Sequence, residues 1–376
     1  MVVALLKSAK RLSFAANMGD RAQFIHITTE TFVMGVKIFT GNTNDRFEAY
    51  KEGAWYDPFK DWKLWFIDGA GGNDTLIGGA LGDTIFGGAD NDSLDGRGGA
   101  DYIDGGSGND TLYGFGTSYD SAVDTLIGGS GDDTYYADVN DVIEEVAGAG
   151  YDTLRLNISN MRSDYFLPAN VEKLVVDLQY QYQSEEIYGN SGDNVIEVSG
   201  FSTSALGGKA IDGLGGFDRM VGGSGYDYLR GGAGQDTVIG GGANDKLFGD
   251  GGNDSITGVD FVGGTGVGQI DTLTGGEGYD MFFLGYAGKS FYNDGIAGNS
   301  GIDDYGLITD FKTGVDIIFL GGAPSNYYLQ EFNFSGIGSS DQFDTLIRLK
   351  GSNEVIGVIQ DTTGLTLNSR DFLGAY

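Results

Sequence analysis

The chain has 376 residues, 68 of them glycine and only 3 proline; that is room for two or three domains, but no glycine falls strictly at every third place, which excludes collagen. With 54 acidic against 22 basic residues and a formal net charge of −32, it repels nucleic acid and anionic membrane surfaces and attracts cations. A hydrophobic content of 40% with 12% aromatics is too high for an ordinary acidic disordered chain, and the lack of cysteine excludes disulfides, thiolate metal sites and a cysteine nucleophile.

In the opening MVVALLKSAKRLSFAAN a short apolar run precedes Lys7, Lys10 and Arg11. This reverses the order of a secretory signal, so no cleaved signal peptide is expected. No uncharged apolar stretch reaches membrane-spanning length, and helix is expected only near residues 1–22. His26 is the only histidine; it rules out H-E-x-x-H zinc chemistry and reads as a strand or surface residue. Residues 1–34 form an N-terminal segment, and 35–68 a preface to the glycine-rich array that begins at Gly69. Within the preface, AWYDPFKDWKLWF (54–66) holds all three tryptophans, Trp55, Trp62 and Trp65. Two readings stand: an aromatic platform for a sugar ring or partner surface, or a cap closing the end of the first array.

From Gly69 to Tyr136 the chain divides into glycine-led units starting at Gly69, Gly78, Gly87, Gly96, Gly105, Gly114 and Gly128. A second array, residues 213–283, starts units at Gly213, Gly222, Gly231, Gly240, Gly249, Gly258 and Gly275. The two superimpose with an offset of 144 (213 − 69, and 258 − 114) and part only in their long sixth units, as an internal duplication would. Upstream, GNTNDRFEAY (41–50) resembles GNSGDNVIEV (189–198), which makes 189–212 a second preface. The sixth place is always aspartate: Asp74, Asp83, Asp92, Asp101, Asp110, Asp124 and Asp133, then Asp218, Asp227, Asp236, Asp245, Asp254, Asp271 and Asp280. The eighth place holds one large side chain per unit, from Leu76 to Tyr135 and from Met220 to Phe282. One buried side chain per nine residues builds no globular core, but stacked short strands align such side chains into a narrow continuous one. The glycines provide turns, and aspartates with backbone carbonyls are hard oxygen ligands of the kind calcium takes in sets of six to eight.

Between the arrays, residues 137–188 carry strand patterns in DVIEEVAGAGYDTLRL and NVEKLVV. After them, 284–376 continues with YGLITDF, VDIIFLGG and DTLIRLKGSNEVIGVIQ, a length suited to capping an array.

The units resemble the G-G-x-G-x-D-x-U-x nonapeptides of the RTX calcium-binding family. The resemblance covers the two arrays, a little over a third of the chain. It implies an all-β fold of two parallel β-rolls, joined and capped by further strands, with two nonapeptides per turn and calcium between loops two units apart. The implied bridging pairs are Asp74–Asp92, Asp92–Asp110, Asp110–Asp133, Asp83–Asp101 and Asp101–Asp124, then Asp218–Asp236, Asp236–Asp254, Asp254–Asp280, Asp227–Asp245 and Asp245–Asp271. Glycine-stretch carbonyls complete each shell. About ten ions is the upper count, adding about +20 to leave roughly −12. The departures are Leu81, Asp90 and Ala243 at the fourth place and Arg97, Phe115, Asp250 and Val259 at the second; these loops are expected to bind weakly or bulge, and the pairs through Asp124 and Asp271 are the least secure. The resemblance also implies folding on calcium outside the cell after export by a type I secretion apparatus. The tail NSRDFLGAY resembles an uncleaved C-terminal signal of such systems, and reads equally as a final capping strand.

No enzyme signature emerges. GYAGKS (285–290) lacks the first glycine of a phosphate loop, Phe283 standing there, and no G-x-S-x-G occurs. Acidic pairs such as Glu144–Glu145 and Glu185–Glu186 fit a solvated acidic surface. Two functions therefore remain: a secreted calcium-binding structural or surface-interaction protein, and a polysaccharide-binding or polysaccharide-modifying extracellular protein using Trp55, Trp62 and Trp65.

Overall fold

The computed structural model describes residues 27–29, 32–39, 41, 43–49, 64–115, 122–157, 163–177, 185–199, 208–261, 264–294, 303–333, 337–339 and 342–375. The expected helix near residues 1–22, His26, Trp55 and Trp62 lie outside them. Apart from a 3-10 turn at Pro324–Asn326, the described elements are β-strands. No helix among the described residues is long and apolar enough to cross a membrane.

Each nonapeptide makes one short strand whose sixth residue, the aspartate, ends a glycine loop just before it. In Thr75–Ile77, Ser93–Asp95 and Thr111–Tyr113 the central leucine is buried and its neighbours are half-buried. This is the alternation that a pleated strand with one inward face requires. Odd-numbered units pair with odd and even with even, always parallel: Leu76 lies across from Leu94 and Leu94 from Leu112 in one sheet, and Ile85 across from Ile103 in the other. Two units thus make one turn of a two-faced roll.

One face runs uninterrupted through both arrays. Strands Thr134–Asp138, Thr153–Asn157, Lys173–Asp177, Val195–Ser199 and Arg219–Gly223 pair in sequence, so the linking segment carries the 14-stranded sheet from the first array into the second. The opposite face is divided. A seven-stranded sheet ends with Val142–Glu144, and a ten-stranded one begins with Tyr165–Phe166. The parallel rolls and joining strands expected from the repeats are present, and the joining strands make the two rolls a single solenoid.

The core is a pair of side-chain columns. All fourteen eighth-place residues are fully buried. On the continuous face the column runs Phe47, Leu76, Leu94, Leu112, Tyr135, Leu154 and Leu174 without a break, and it passes through Phe282 to Ile318 and Phe372 at the far end. Antiparallel strands close both ends: Ile27–Thr29 on Phe32–Ile38 at one, and Tyr327–Phe332 on Asp344–Leu349 on Val355–Ile359 at the other. Such strands interrupt the row of unpaired backbone groups that a bare solenoid end presents.

The loops are where glycine matters. Gly106 has φ +103, and a Cβ there would run into the backbone of Gly88 one turn earlier. Several departures from the repeat take this conformation without being glycine: Asp90 (φ 73), Arg97 (φ 74), Ala243 (φ 75) and Asp250 (φ 69). Each holds a left-handed backbone at about 1–2 kcal/mol, which is the local strain of these loops.

Candidate metal centre

The aspartates of the repeat form two ladders along the roll. On the continuous face, the Asp74 N–H donates to Asp92 Oδ1 (2.7 Å), Asp92 to Asp110 (2.8 Å) and Asp110 to Asp133 (2.7 Å). On the other face Asp83 donates to Asp101 (2.6 Å) and Asp101 to Asp124 (2.7 Å). The second array repeats this through Asp218, Asp236, Asp254 and Asp280 (2.8–3.1 Å) and through Asp227, Asp245 and Asp271 (2.8 Å each). Every aspartate pair implied by the nonapeptide register is thus brought together. All fourteen aspartates are at most 3% exposed.

Each ladder bond occupies one carboxylate oxygen, and in most repeat units it leaves the other. Oδ2 of Asp74, Asp92, Asp110, Asp133, Asp218, Asp227, Asp236, Asp245, Asp254 and Asp280 is buried and accepts no hydrogen bond. Over the first glycine of about half of the units such an oxygen meets a backbone carbonyl, as at Gly69, Gly87, Gly105, Gly213, Gly231 and Gly249. A Cβ on Gly87 would lie 2.7 Å from the Gly105 carbonyl oxygen and collide with Asp92 Oδ2; a Cβ on Gly105 would lie 2.7 Å from the Gly128 carbonyl and collide with Asp110 Oδ2. The missing Cβ leaves a small cradle lined by a carboxylate oxygen and a carbonyl oxygen, repeated up the roll.

Electrostatically the ladders are unfavourable as they stand. Carboxylates one strand spacing apart, ~4.8 Å, repel by roughly 3 kcal/mol at an effective dielectric of about 20. Burial pushes the carboxyls of Asp83, Asp92, Asp133, Asp218, Asp227, Asp254 and Asp271 up to about 7, opposed in part by the ladder N–H each accepts. Asp110 is raised to about 6 and Asp245 to about 9, in the latter case with the charges of Asp271 and Asp227 adding to burial. Buried and oxygen-only, with a lysine charge acting only on Asp227 and Asp280 among the repeat aspartates described, the donor set fits a hard divalent cation such as calcium.

The ladder is longer than the repeats. The Asp45 N–H donates to Asp74 Oδ1 (2.7 Å), Asp124 to Asp141 (3.0 Å), Asp133 to Asp152 (2.8 Å), Asp152 to Glu172 (2.7 Å) and Asp280 to Asp316 (3.1 Å). Sequence reasoning missed these rungs. Asp152-Thr153-Leu154 repeats the Asp74-Thr75-Leu76 phrase, and Asp45-Arg46-Phe47, Asp141-Val142-Ile143 and Asp316-Ile317-Ile318 keep its aspartate and apolar places, a signal made faint by the loss of the unit's glycines. Several positions leave no oxygen free: Oδ2 of Asp83 accepts the Gly79 N–H (2.5 Å), that of Asp141 the Asp138 N–H (2.8 Å) and that of Asp316 the Lys312 N–H (2.7 Å). At Asn194 an amide stands in the aspartate place, its Oδ1 accepting from the Asn190 N–H (2.7 Å) and its Nδ2 donating to Asn190 Oδ1 (3.0 Å). At Asp271, one of the two positions expected to be least secure, the Tyr292 hydroxyl donates to Oδ2 (2.7 Å). Lys209 stands where Trp65 does in the first module (65 + 144 = 209); it is 6% exposed and its backbone N–H donates to Asp227 Oδ1 (2.7 Å).

Trp65 does not present a platform. It is 4% exposed, in edge contact with Phe47 (ring centroids 5.1 Å), and its backbone N–H donates to Asp83 Oδ1 (2.7 Å). Its indole packs in the column at the start of the first array, leaving no face for a sugar ring. The physical reason is strand alternation: Trp65 shares the inward face with Ile67.

A family model for the RTX calcium-binding nonapeptide repeat matches residues 66–81, 77–112, 121–142, 212–247 and 231–259. It lapses in both long sixth units, where the register is interrupted. No curated protein is a significant match to the chain. Family match, strand register and aspartate ladders agree: the two arrays are RTX calcium-binding nonapeptide repeats wound into a parallel β-roll.

Proposed function

We propose that this is a secreted protein whose roll forms when calcium reaches it outside the cell, and whose role is structural or surface-interacting. The observation that carries the reading is the row of buried Oδ2 atoms without a hydrogen bond, those of Asp74, Asp92, Asp110, Asp218, Asp236 and Asp254 beside a glycine carbonyl. The residues that would hold the ions are the fourteen repeat aspartates and the carbonyls of the glycine stretches. When bound, a divalent cation supplies the positive charge that these oxygens lack. In low calcium the repelling ladder and the ordering entropy of a glycine-rich chain both oppose the roll. Extracellular modules bind calcium at about 10⁻⁴ to 10⁻³ M, so the chain would stay unfolded in the cytosol, as passage through a type I apparatus requires, and fold outside.

The test is circular dichroism of the purified chain in chelator, followed by titration with calcium and, separately, magnesium. A cooperative gain of β signal near millimolar calcium, not matched by magnesium, is expected. A chain already fully folded in chelator and indifferent to calcium refutes the proposal.

A further inference from the structure

We propose a further divalent-cation site, of the calcium class, built by Asp133, Glu145 and Asp152 where the first array gives way to the linking segment. One carboxylate oxygen of each lies within 4.8 Å of the others. Only Asp133 belongs to the nonapeptide register; Glu145 and Asp152 lie beyond it. The three come from both faces of the roll. Glu145 follows the strand Val142–Glu144, the last of the seven-stranded sheet, whereas Asp133 and Asp152 directly precede the paired strands Thr134–Asp138 and Thr153–Asn157 of the continuous sheet.

Independent support comes from unpaired, deeply buried oxygen. Asp133 and Asp152 are each 1% exposed, and Oδ2 of both accepts no hydrogen bond. Their Oδ1 atoms are already used, accepting the N–H of Asp110 (2.7 Å) and of Asp133 (2.8 Å). Glu145 is anchored by the Tyr135 hydroxyl donating to its Oε1 and by the Val146 N–H donating to Oε2 (3.0 Å). A Cβ on Gly128 would collide with Asp133 Oδ2, Glu145 Oε1 and the Tyr135 hydroxyl together, so these oxygens face one another across a cradle that only glycine leaves open. Among the described residues no lysine or arginine forms an ion pair with any of the three. Three carboxylates with no basic partner attract a hard cation more strongly than a two-aspartate loop does, since affinity in such sites rises with ligand charge.

The consequence is mechanical. The seven-stranded face ends here while the opposite face continues, and a cation held by Glu145 from one face and Asp133 and Asp152 from the other ties the last strand down. Eighth-place residues elsewhere in the arrays are apolar; Tyr135 is the one whose hydroxyl reaches a carboxylate, and it thereby positions Glu145.

Bound calcium per chain, counted by native mass spectrometry of the full chain across a calcium titration, tests the site. Glu145→Gln and, separately, Asp152→Asn should each lose one ion of those bound at the lowest free calcium. Glu144→Gln, an exposed neighbour with the same change of charge, should lose none. Asp152→Asn keeps the oxygen that accepts the Asp133 N–H, so the roll is retained, and circular dichroism at saturating calcium verifies that it is. An unchanged count in both variants overturns the proposal. Asp92→Asn, measured alongside, separates this from the repeat reading: if Asp92→Asn loses ions while Glu145→Gln and Asp152→Asn do not, the repeats bind calcium and this site does not exist.

Discussion

Asp92→Asn is the most informative single change in the ladders. Asp92 Oδ1 accepts the Asp74 N–H and the Asp92 N–H donates to Asp110, so the residue is shared by the loops above and below it. Asparagine keeps the acceptor and replaces the unpaired Oδ2 by an amide, removing one anionic ligand from two sites. A tenfold loss at each is about 1.4 kcal/mol, or roughly 3 kcal/mol for the calcium-bound roll. The first array has five aspartate pairs. Spread over about five ions at RT of about 0.59 kcal/mol, that loss raises the calcium midpoint of folding by a factor near e, about threefold. The assay is the calcium midpoint by circular dichroism at fixed pH and salt, with Glu144→Gln as a control of equal charge change; the control should move the midpoint far less. If Asp92→Asn leaves the midpoint where it was or lowers it, the ladder carboxylates are not ligands and the argument from their unpaired oxygens fails.

The pH dependence of the metal-free chain follows from the same burial. Carboxyls such as those of Asp83, Asp92 and Asp218 stand near 7 in the roll against an ordinary value of 3.8; the roll therefore holds protons that the unfolded chain has released, and the stability they contribute is present below about pH 4 and lost as pH rises through about 7. In chelator, β signal should be greater at pH 5 than at pH 8, and millimolar calcium at pH 8 should restore it; β signal that rises with pH in chelator contradicts this. At the far end, Phe372 is 3% exposed and lies across from Ile318, so Phe372→Ala should cost about 3 kcal/mol. Faster hydrogen exchange in Ile317–Gly321 is the expected sign in saturating calcium, with little change for the exposed neighbour in Leu373→Ala; equal effects of the two would show that the tail does not cap the roll.

The repeat arrays are legible in the sequence because nine-residue units leave little choice. An aspartate at the sixth place and one large side chain at the eighth, such as Asp92 with Leu94, fix the register of a strand too short to slip, and the offset of 144 announces the second copy. The tail is less legible: it reads equally as an export signal and as a final strand, and Phe372–Ala375 is a strand at the edge of the long sheet. Illegible is the role of residues whose neighbours come from elsewhere in the chain. Trp65 reads either as an aromatic platform or as a cap of the first array until strand alternation turns it inward against Phe47. Glu145 reads as half of a solvated acidic pair until the end of one sheet brings it over Gly128 beside Asp133 and Asp152. Local spacing determined the rungs of the arrays, because each nine-residue unit supplies one aspartate and one inward side chain at fixed places. Where the rungs run on between the arrays, and which carboxylates meet where one face stops, was decided by the pairing of strands some twenty residues apart, which only the folded roll brings together.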